Sequence, residues 1–546
     1  MSENRYDAIV IGSGMGGLSC AAFLAKAAGK RVLLVERHTV LGGFTHEFSR
    51  KRKYHWSTGF HYVGQMQPGH AYRRLMDYIC DGKVTFSPLP AEYDQFVFPD
   101  LSFKVPKGAA AYEKRLSDAF PSEREAIARY FRDLKNATAY MVLYVAKTSI
   151  PPFARPFALM SVRGHEKLAL TTVREYLDTN FRDPKLKAVL VAQMGNIGAP
   201  PATCSFGLHA IITTHYFEGG FVVSGGSKRL AEAIAPVIER AGGKCLTGRE
   251  VKRILVENGK AKGIEVEDRD GSKTYFADTV ISSTGFENTF GKLLAEKDAP
   301  GMRAKIADLV TSAPGFSYAV VYFGLKESPR TLGATGANMW LHANYDDMSE
   351  LGMPKTLAAN SPRFTYVSFP SVNDPESKSH TVEALIPCDY EFFKAWADQP
   401  CMKRDAAYKE LKERLAAIVE KAVEKNLPGF SSLVDYREVS TSLTVEHYNN
   451  RARGDIYGLL CTPKRLKADW IRPKTAVRGL YMTGQDVATH GIVAALIAGM
   501  VTAVNVLGLF GMPRIILSMV RDALGRGGKA PTVTTKDGDR GDQAAA

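Results

Sequence analysis

The sequence predicts an α/β protein in which a parallel-sheet domain, interrupted along the chain, carries an inserted α+β unit. Three stretches predict it. "YDAIVIGSGMGGLSCAAFLAKAAGKRVLLVERH" (Tyr6–His38) reads as strand, glycine turn, helix and strand. "GGSKRLAEAIAPVIERAGG" (Gly225–Gly243) is a glycine turn feeding an amphipathic helix that stops at Gly242. "GLYMTGQD" (Gly479–Asp486) is a strand and turn ahead of the apolar helix "HGIVAALIAGMVTAVNVLG". Between these blocks lie insertions of roughly 120 residues, rich in aromatics and prolines, a domain-sized allotment.

The elements follow in order. "YDAIVI" has strand length and no charge after Asp7, and "GLSCAAFLAKAAG" spaces Ala and Leu helically and ends on Gly29. "RVLLVE" is a second buried strand. After Gly242, "EVKRILVENGKAKGIEVEDRDGSKTYFADTVISSTG" alternates around NG and DG turns, which predicts a β-meander returning into the buried strand "TVISST". The segments expected for the interrupted domain are 1–100, 221–300 and 441–512, with the inserted unit at 101–220 and 301–440. Residues 513–526 read as an amphipathic helix and 527–546 as a disordered tail.

The chain has 546 residues and a formal charge of +14, from 71 basic and 57 acidic side chains. Such an excess favours anionic partners, but no zinc spacing or RNA-binding signature accompanies it, so a membrane surface is expected and nucleic acid is not. The seven cysteines lie apart with no CxxC pair and read as buried thiols in a reducing compartment. No charged-then-apolar leader precedes the first strand, so a cytoplasmic-side location without a signal peptide is expected.

Gly12, Gly14 and Gly17 form GxGxxG between strand and helix. The first permits the turn, the second lets the backbone approach a pyrophosphate, and the third packs helix on strand. The helix N-terminus offers free N–H groups to phosphate. Glu36 ends the second strand, where a carboxylate accepts hydrogen bonds from an adenosine ribose and argues against a 2′-phosphate. The distant Gly484–Gln485–Asp486 turn and the helix opening at Gly491 favour FAD over NAD at this site.

"PPATCSFGLHAIITTHYFEGG" (Pro200–Gly220), "FPSVNDPES" (Phe369–Ser377), "GDIYGL" (Gly454–Leu459) and "GLYMTGQDVATHGIVAAL" (Gly479–Leu496) carry a closer likeness. On these stretches the chain resembles the FAD-dependent polyene oxidoreductases: phytoene desaturases, carotenoid isomerases and retinol saturases, with the saturase side favoured. The resemblance spans roughly residues 6 to 510 and implies a glutathione-reductase-like, Rossmann-type FAD domain that is discontinuous, with an inserted α+β substrate domain. It implies saturation of a double bond in a conjugated isoprenoid, with desaturation or cis–trans isomerisation as the runner-up. A non-catalytic isoprenoid carrier and an amine oxidase are the competing classes. The electron donor is left open.

The resemblance also implies the site. FAD contacts are expected at Gly12, Gly14, Met15, Gly16 and Gly17, and at Glu36 and Arg37. Gly42 and Gly43 should let the backbone pass the diphosphate, and Ser57–Gly64 should form a strand beside the flavin through Thr58, Gly59 and His61. Val251, Gly484, Asp486, Gly491, Ile492 and Val493 complete the set. His215 and Tyr216 are the expected proton donors, with Glu218 behind them, and His61 is a further candidate; a packing role competes for each. Three positions depart from the family pattern: Ser57 for the usual acid, Phe44 for the usual Arg, and Val223–Ser224 for the usual Tyr-Pro.

The run Arg50–Lys53 is expected to be a hairpin tip. His46, His55 and His61 lack companion carboxylates at ligand spacing, so no metal is expected. Gly491–Phe510 is long enough to span a membrane but is read as a core helix. Membrane contact is sought in Tyr140–Met160 and in Pro513–Arg526, where Ile516, Met519, Val520 and Ala523 make an apolar stripe beside Arg514, Arg521 and Arg526.

Overall fold

The computed structural model describes residues 4–526 apart from 151–152, 269–270, 314, 316 and 347–351; the tail expected at 527–546 lies outside the described residues. The first apolar run, Ala8–Ile11, is the middle strand of a five-stranded parallel sheet. Its spatial order is Lys244–Leu246, Val32–Val35, Ala8–Ile11, Val280–Ser282 and Leu480–Met482, so all three predicted blocks meet in one ladder. A parallel sheet must be covered on both faces, and alternate side chains divide that task. Ala8, Val10, Val32 and Leu34 pack on the helices Met15–Ala28, Arg229–Arg240 and Ile492–Leu507. Ile9, Ile11, Leu33 and Val35 pack on the antiparallel meander Glu250–Glu257, Lys260–Asp268 and Gly271–Phe276.

The Ile492–Leu507 helix is a core helix, as its sequence context predicts. It crosses Met15–Ala28 so closely that a Cβ at Gly499 would collide with Ser19 Oγ and lie 2.7 Å from Cys20 N. Ile492–Gly525 as a whole is long and apolar enough to cross a membrane. Gly508, at φ +77°, breaks it, and Gly511–Gly525 folds back onto Met15–Ala28 through Ile515. Lys26 Nζ meets Asp522 at 2.7 Å in that contact.

The second unit is built on a seven-stranded sheet ordered Val434–Ser440, Ser317–Leu325, His380–Cys388, Phe364–Ser368, Asn338–His342, Glu92–Val97 and Ser102–Pro106. Its pairs are antiparallel except Asn338–His342 with Glu92–Val97. Since Glu92–Val97 belongs to this sheet, the boundary expected at residue 100 moves to just before Glu92. One face carries Val321, Phe323, Val382 and Ala384 against Leu415 and Val419 of the helix Ala406–Asn426. The other presents Tyr318, Tyr322, Trp340 and Tyr366 toward the first domain and the helices Arg124–Ala146 and Phe206–His215.

The hairpin Glu47–Arg50/Tyr54–Ser57 links the two units. Its tip turns through Lys51 and Arg52 at positive φ, where the basic run was expected to sit. The tip is docked: Arg50 grips Glu438 with two bonds of 2.7 and 2.8 Å, and Lys51 lies 5.3 Å over the Tyr436 ring. The strand expected over Ser57–Gly64 is interrupted; it ends at Ser57 and resumes only at Val63–Gly64. Ser57 Oγ accepts from Phe60 N–H at 2.9 Å, which bends the intervening backbone out of the ladder.

Candidate active site

A cavity of about 860 Å³ opens at the carboxyl ends of the parallel strands, lined there by Ile11 and Val35, and runs to the inner face of the large sheet. That is where α/β sheets bind ligands. The glycines around it divide by physical role. A Cβ at Gly17 would strike the Gly12 carbonyl, and one at Gly16 would lie 2.5 Å from Gly484 Cα, so both hold backbone against backbone. Gly43, at φ +55°, would place a Cβ 2.9 Å from Gly14 Cα. Gly14 differs: its φ of −60° suits any residue, and nothing lies within 4 Å of a Cβ there. The empty space is beside the N-terminus of Met15–Ala28, where a pyrophosphate belongs.

Glu36 lines the cavity and is held ready by local bonds. Its Oε2 accepts from Ser13 N–H at 2.8 Å and Ser13 O–H at 2.7 Å, and its Oε1 from His38 N–H at 2.8 Å. Arg37 also lines the cavity and donates to the carbonyls of His447 and Tyr448. Met15, Gly42, Thr58, Gly59, His61, Val251, Gly484, Gly491 and Ile492 all reach the cavity wall. Val493 does not; it packs into the helix layer.

Asp486 corrects an expectation. Its carboxylate accepts from Phe286 N–H and Leu459 N–H, both at 3.0 Å, and it is buried away from the cavity. It ties three chain segments together instead of offering oxygen to a ligand. Arg465 fixes the same turn by donating to the carbonyls of Gln485, Asp486 and Ala488.

The expected proton donors are likewise corrected. His215 ends the helix Phe206–His215, where its Nε2 accepts from Gly64 N–H at 2.9 Å and its Nδ1 meets Gln65 Oε1 at 2.9 Å. Both nitrogens are used, and burial, reinforced by the charge of His70, pushes its pKa down to about 3. Tyr216 stacks on Tyr62 at 4.4 Å. Neither lines the cavity, and Glu218 is exposed. His209 bonds Tyr130 Oη at 2.7 Å inside the helical layer.

His61 is the expected candidate that does reach the cavity, and it brings a partner the sequence hid. Its Nδ1 lies 2.7 Å from Oε2 of Glu383, a carboxylate with no exposed surface whose other oxygen, Oε1, has no hydrogen-bond partner. The His61 ring stands edge-on to Tyr366, with 5.5 Å between centroids. A second buried acid, Asp94, accepts from Tyr62 O–H at 3.1 Å and Asn338 N–H at 3.0 Å; burial raises its pKa to about 7. Asn196, on the cavity wall, donates to the same Tyr62 oxygen at 2.8 Å. The one available signal for Glu383 was a lone carboxylate in a largely apolar strand, "HTVEALIPC"; "EYDQFV", with Glu92 and Gln95 beside Asp94, gave none.

Of the departures from the family pattern, Phe44 lines the cavity and packs on Gly59, and Ser224 bonds Ser87 Oγ at 2.7 Å. Glu47 lines the cavity too; burial raises its pKa, opposed by Lys228 at 3.4 Å. Among the described residues no group of three or more His, Cys, Asp or Glu side chains could hold a metal ion.

Fold and site together define a two-domain, dinucleotide-binding oxidoreductase. A family model described as an NAD(P)-binding Rossmann-like domain matches residues 10–79. Cyclohexylamine oxidase from Brevibacterium oxydans shares the fold at 16% identity, with a TM-score of 0.59 over 94% of this chain and 99% of that one. An oxidoreductase from Methanosarcina mazei does so at 17% and 0.56, over 91% and 99%. In sequence, the human all-trans-retinol 13,14-reductase is 31% identical over 90% of this chain and 84% of its own, and the rat protein 30% over the same shares. The Arabidopsis thaliana chloroplastic prolycopene isomerase is 26% identical over 94% and 84%. The chain belongs to the all-trans-retinol 13,14-reductase family.

Proposed function

We propose that the protein is an FAD-dependent enzyme that saturates one C=C bond of a retinoid or similar conjugated isoprenoid. The observation that carries this reading is the His61–Glu383 pair, whose imidazole opens on the same cavity as the glycine cradle. The residues fit FAD: the vacant side of Gly14, the close Gly14–Gly43 approach and Glu36 suit a pyrophosphate and a ribose. Gly42, Gly43, Thr58, Gly59, Val251, Gly484, Gly491 and Ile492 would line the rest of the cofactor. When bound and reduced, FAD supplies a hydride to one carbon of the double bond.

The other carbon needs a proton, and His61 is the residue for it. Glu383 accepts the hydrogen bond from Nδ1–H, fixing ring orientation and tautomer so that the delivered proton leaves from Nε2, which has no hydrogen-bond partner among the described residues. Glu383 is a positioning residue, since it acts through His61. Tyr318, Val320, Trp340, Tyr366 and Leu385 give the polyene an apolar wall and exclude water from the reacting carbons.

The substrate dissolves in lipid, and the surface suits its delivery from a membrane. Helix Gly511–Gly525 turns Ile515, Ser518 and Asp522 to the protein and leaves Ile516, Leu517, Val520 and Leu524 exposed. With Met512 and Met519 packed inward beside Ile515, the helix is apolar on its inner face and exposes these four apolar side chains beside Arg514 and Arg521. Phe153, Phe157 and Met160 are each more than two-thirds exposed. Peripheral or monotopic membrane association follows from this reading.

The second reading, isomerisation or desaturation of a carotenoid on the same cofactor, is the less favoured one, since the prolycopene isomerase relatives stand further off at 26% identity. An anaerobic assay separates them. Chemically reduced, FAD-loaded protein in lipid vesicles is given all-trans-retinol, and separately a cis-carotene. Retinol converted to a product with a shortened chromophore supports saturation. Carotene turnover with retinol untouched refutes it, and a protein that takes up no FAD supports the carrier class.

A further inference from the structure

One group of cavity-lining charges has no part in this chemistry. Arg404, just ahead of the helix Ala406–Asn426, is 8% exposed and lines the cavity. Its Nε donates to the Trp396 carbonyl at 3.2 Å, and its guanidinium lies 5.1 Å over the Tyr408 ring. Lys412 lines the cavity from the same helix, with Nζ 5.8 Å from that ring; desolvation lowers its pKa, opposed by the charge of Glu438 and reinforced by that of Arg404. Lys409 adds a third cation where the cavity reaches solvent.

No carboxylate lies in ion-pair contact with Arg404 or Lys412 among the described residues; Glu438 acts on Lys412 only through its charge, and the hydrogen bonds of the nearby acids are committed elsewhere. Glu438 is held by Arg50 and by Tyr436 O–H at 2.8 Å. Asp405 caps Tyr408 N–H at 3.0 Å and accepts from Trp396 and Gln399. Two cations facing one cavity, one of them buried, repel each other and are desolvated, a cost that an anion removes. A guanidinium whose Nε is already fixed presents its remaining N–H fork to an oxyanion, and added lysines favour a dianionic phosphate over a carboxylate. The FAD phosphates have their own cradle at Gly14 and Gly43.

We propose that Arg404, Lys412 and Lys409 form a phosphate subsite for a soluble reduced dinucleotide, taking the 2′-phosphate of NADPH. The inference rests on the proposed reduction, which consumes two electrons and two protons per double bond, as one hydride and one proton. NADPH gives up a hydride and becomes NADP⁺; with one solvent proton that restores what each saturation removes. The donor then enters the cavity that the substrate uses.

The test uses FAD-loaded protein titrated anaerobically with NADPH and NADH, followed by nicotinamide fluorescence, alongside R404Q, R404K and K412M. Expected is NADPH binding at least tenfold tighter than NADH. R404Q and K412M should abolish that difference, R404K should partly restore it, and FAD content should stay unchanged. Inorganic phosphate should compete with NADPH only while Arg404 is present. Equal affinity for the two nucleotides, or NADPH binding indifferent to R404Q, overturns the proposal. Loss of FAD from R404Q overturns it too, by assigning these cations to the resident cofactor. Phosphatidate-vesicle binding that depends on Arg404, without NADPH binding, assigns the site to lipid and also overturns it. Should the binding pattern hold while dithionite-reduced protein leaves retinol intact, the reaction assignment falls and the subsite stands.

Discussion

The glycine pair Gly14 and Gly43 gives the sharpest test of the cofactor cradle, because alanine should act in different ways at the two positions. Gly14 has a φ of −60° and no atom within 4 Å of a Cβ, so Gly14→Ala strains nothing in the free protein. Restricting the unfolded chain gains about 0.4–1 kcal/mol, which alanine's poorer fit at the N-cap of Met15–Ala28 offsets, so cofactor-free stability should change little. The added methyl then occupies the space facing the pyrophosphate, and cofactor affinity should fall at least tenfold, about 1.4 kcal/mol. Gly43→Ala must adopt a φ of +55° and press its Cβ to 2.9 Å from Gly14 Cα. Left-handed strain of about 1–2 kcal/mol and overpacking of about 1–3 kcal/mol should therefore lower stability even without cofactor. Urea unfolding of cofactor-free protein and titration of FAD fluorescence read both quantities. Gly14→Ala that destabilises the free protein by more than about 1 kcal/mol, or binds FAD as the parent does, refutes the division of roles.

Other outcomes follow from the same geometry. Glu383→Gln should slow retinol saturation by about 10²-fold or more through loss of the carboxylate that orients His61, while FAD affinity stays constant; an unchanged rate removes Glu383 from the chemistry. Gly499→Ala should cost about 1–3 kcal/mol or more, since its Cβ has no room against Ser19 and Cys20, and should be seen in the urea midpoint. The His215 pKa is lowered to about 3 in the fold, by burial first, from an ordinary value near 6.5. Its contribution to stability is therefore present above about pH 6.5 and lost as pH falls toward 3, at up to about 1.4 kcal/mol per pH unit. His215→Gln, which keeps an acceptor for Gly64 N–H, should flatten that slope in urea midpoints measured from pH 7 to pH 4. Ser57→Asp asks whether the family's usual acid matters; altered product ratios are expected only if the backbone bend held by Ser57 Oγ and Phe60 N–H is lost.

The dinucleotide half of the fold was legible because its information is local. Strand length, GxGxxG, a helix ending on glycine and Glu36 at a strand end each constrain only neighbours in sequence, and all appear in the sheet as read. The substrate half was less legible because its contacts are not local. His61 and Glu383 are 322 residues apart in sequence, and only the seven-stranded sheet brings them to 2.7 Å. The same cause misled the reading of Asp486 and His215. Each sits in a stretch that resembles ligand-binding sequence, yet backbone N–H groups from distant segments, Phe286 and Leu459 for one and Gly64 for the other, claim the side chain. Buried polar atoms go to whichever donors tertiary packing supplies, which spacing along the chain does not encode.

The most direct test is a single anaerobic turnover. FAD-loaded protein, reduced with dithionite and freed of excess reductant, is mixed with one equivalent of all-trans-retinol, and cofactor and polyene absorbance are followed together. The account predicts that the flavin reoxidises in step with loss of the full polyene chromophore, giving a product two hydrogens heavier, and that His61→Ala keeps bound FAD but loses this coupling. A flavin that stays reduced over intact retinol, or a product with the same mass and a changed double-bond geometry, contradicts it.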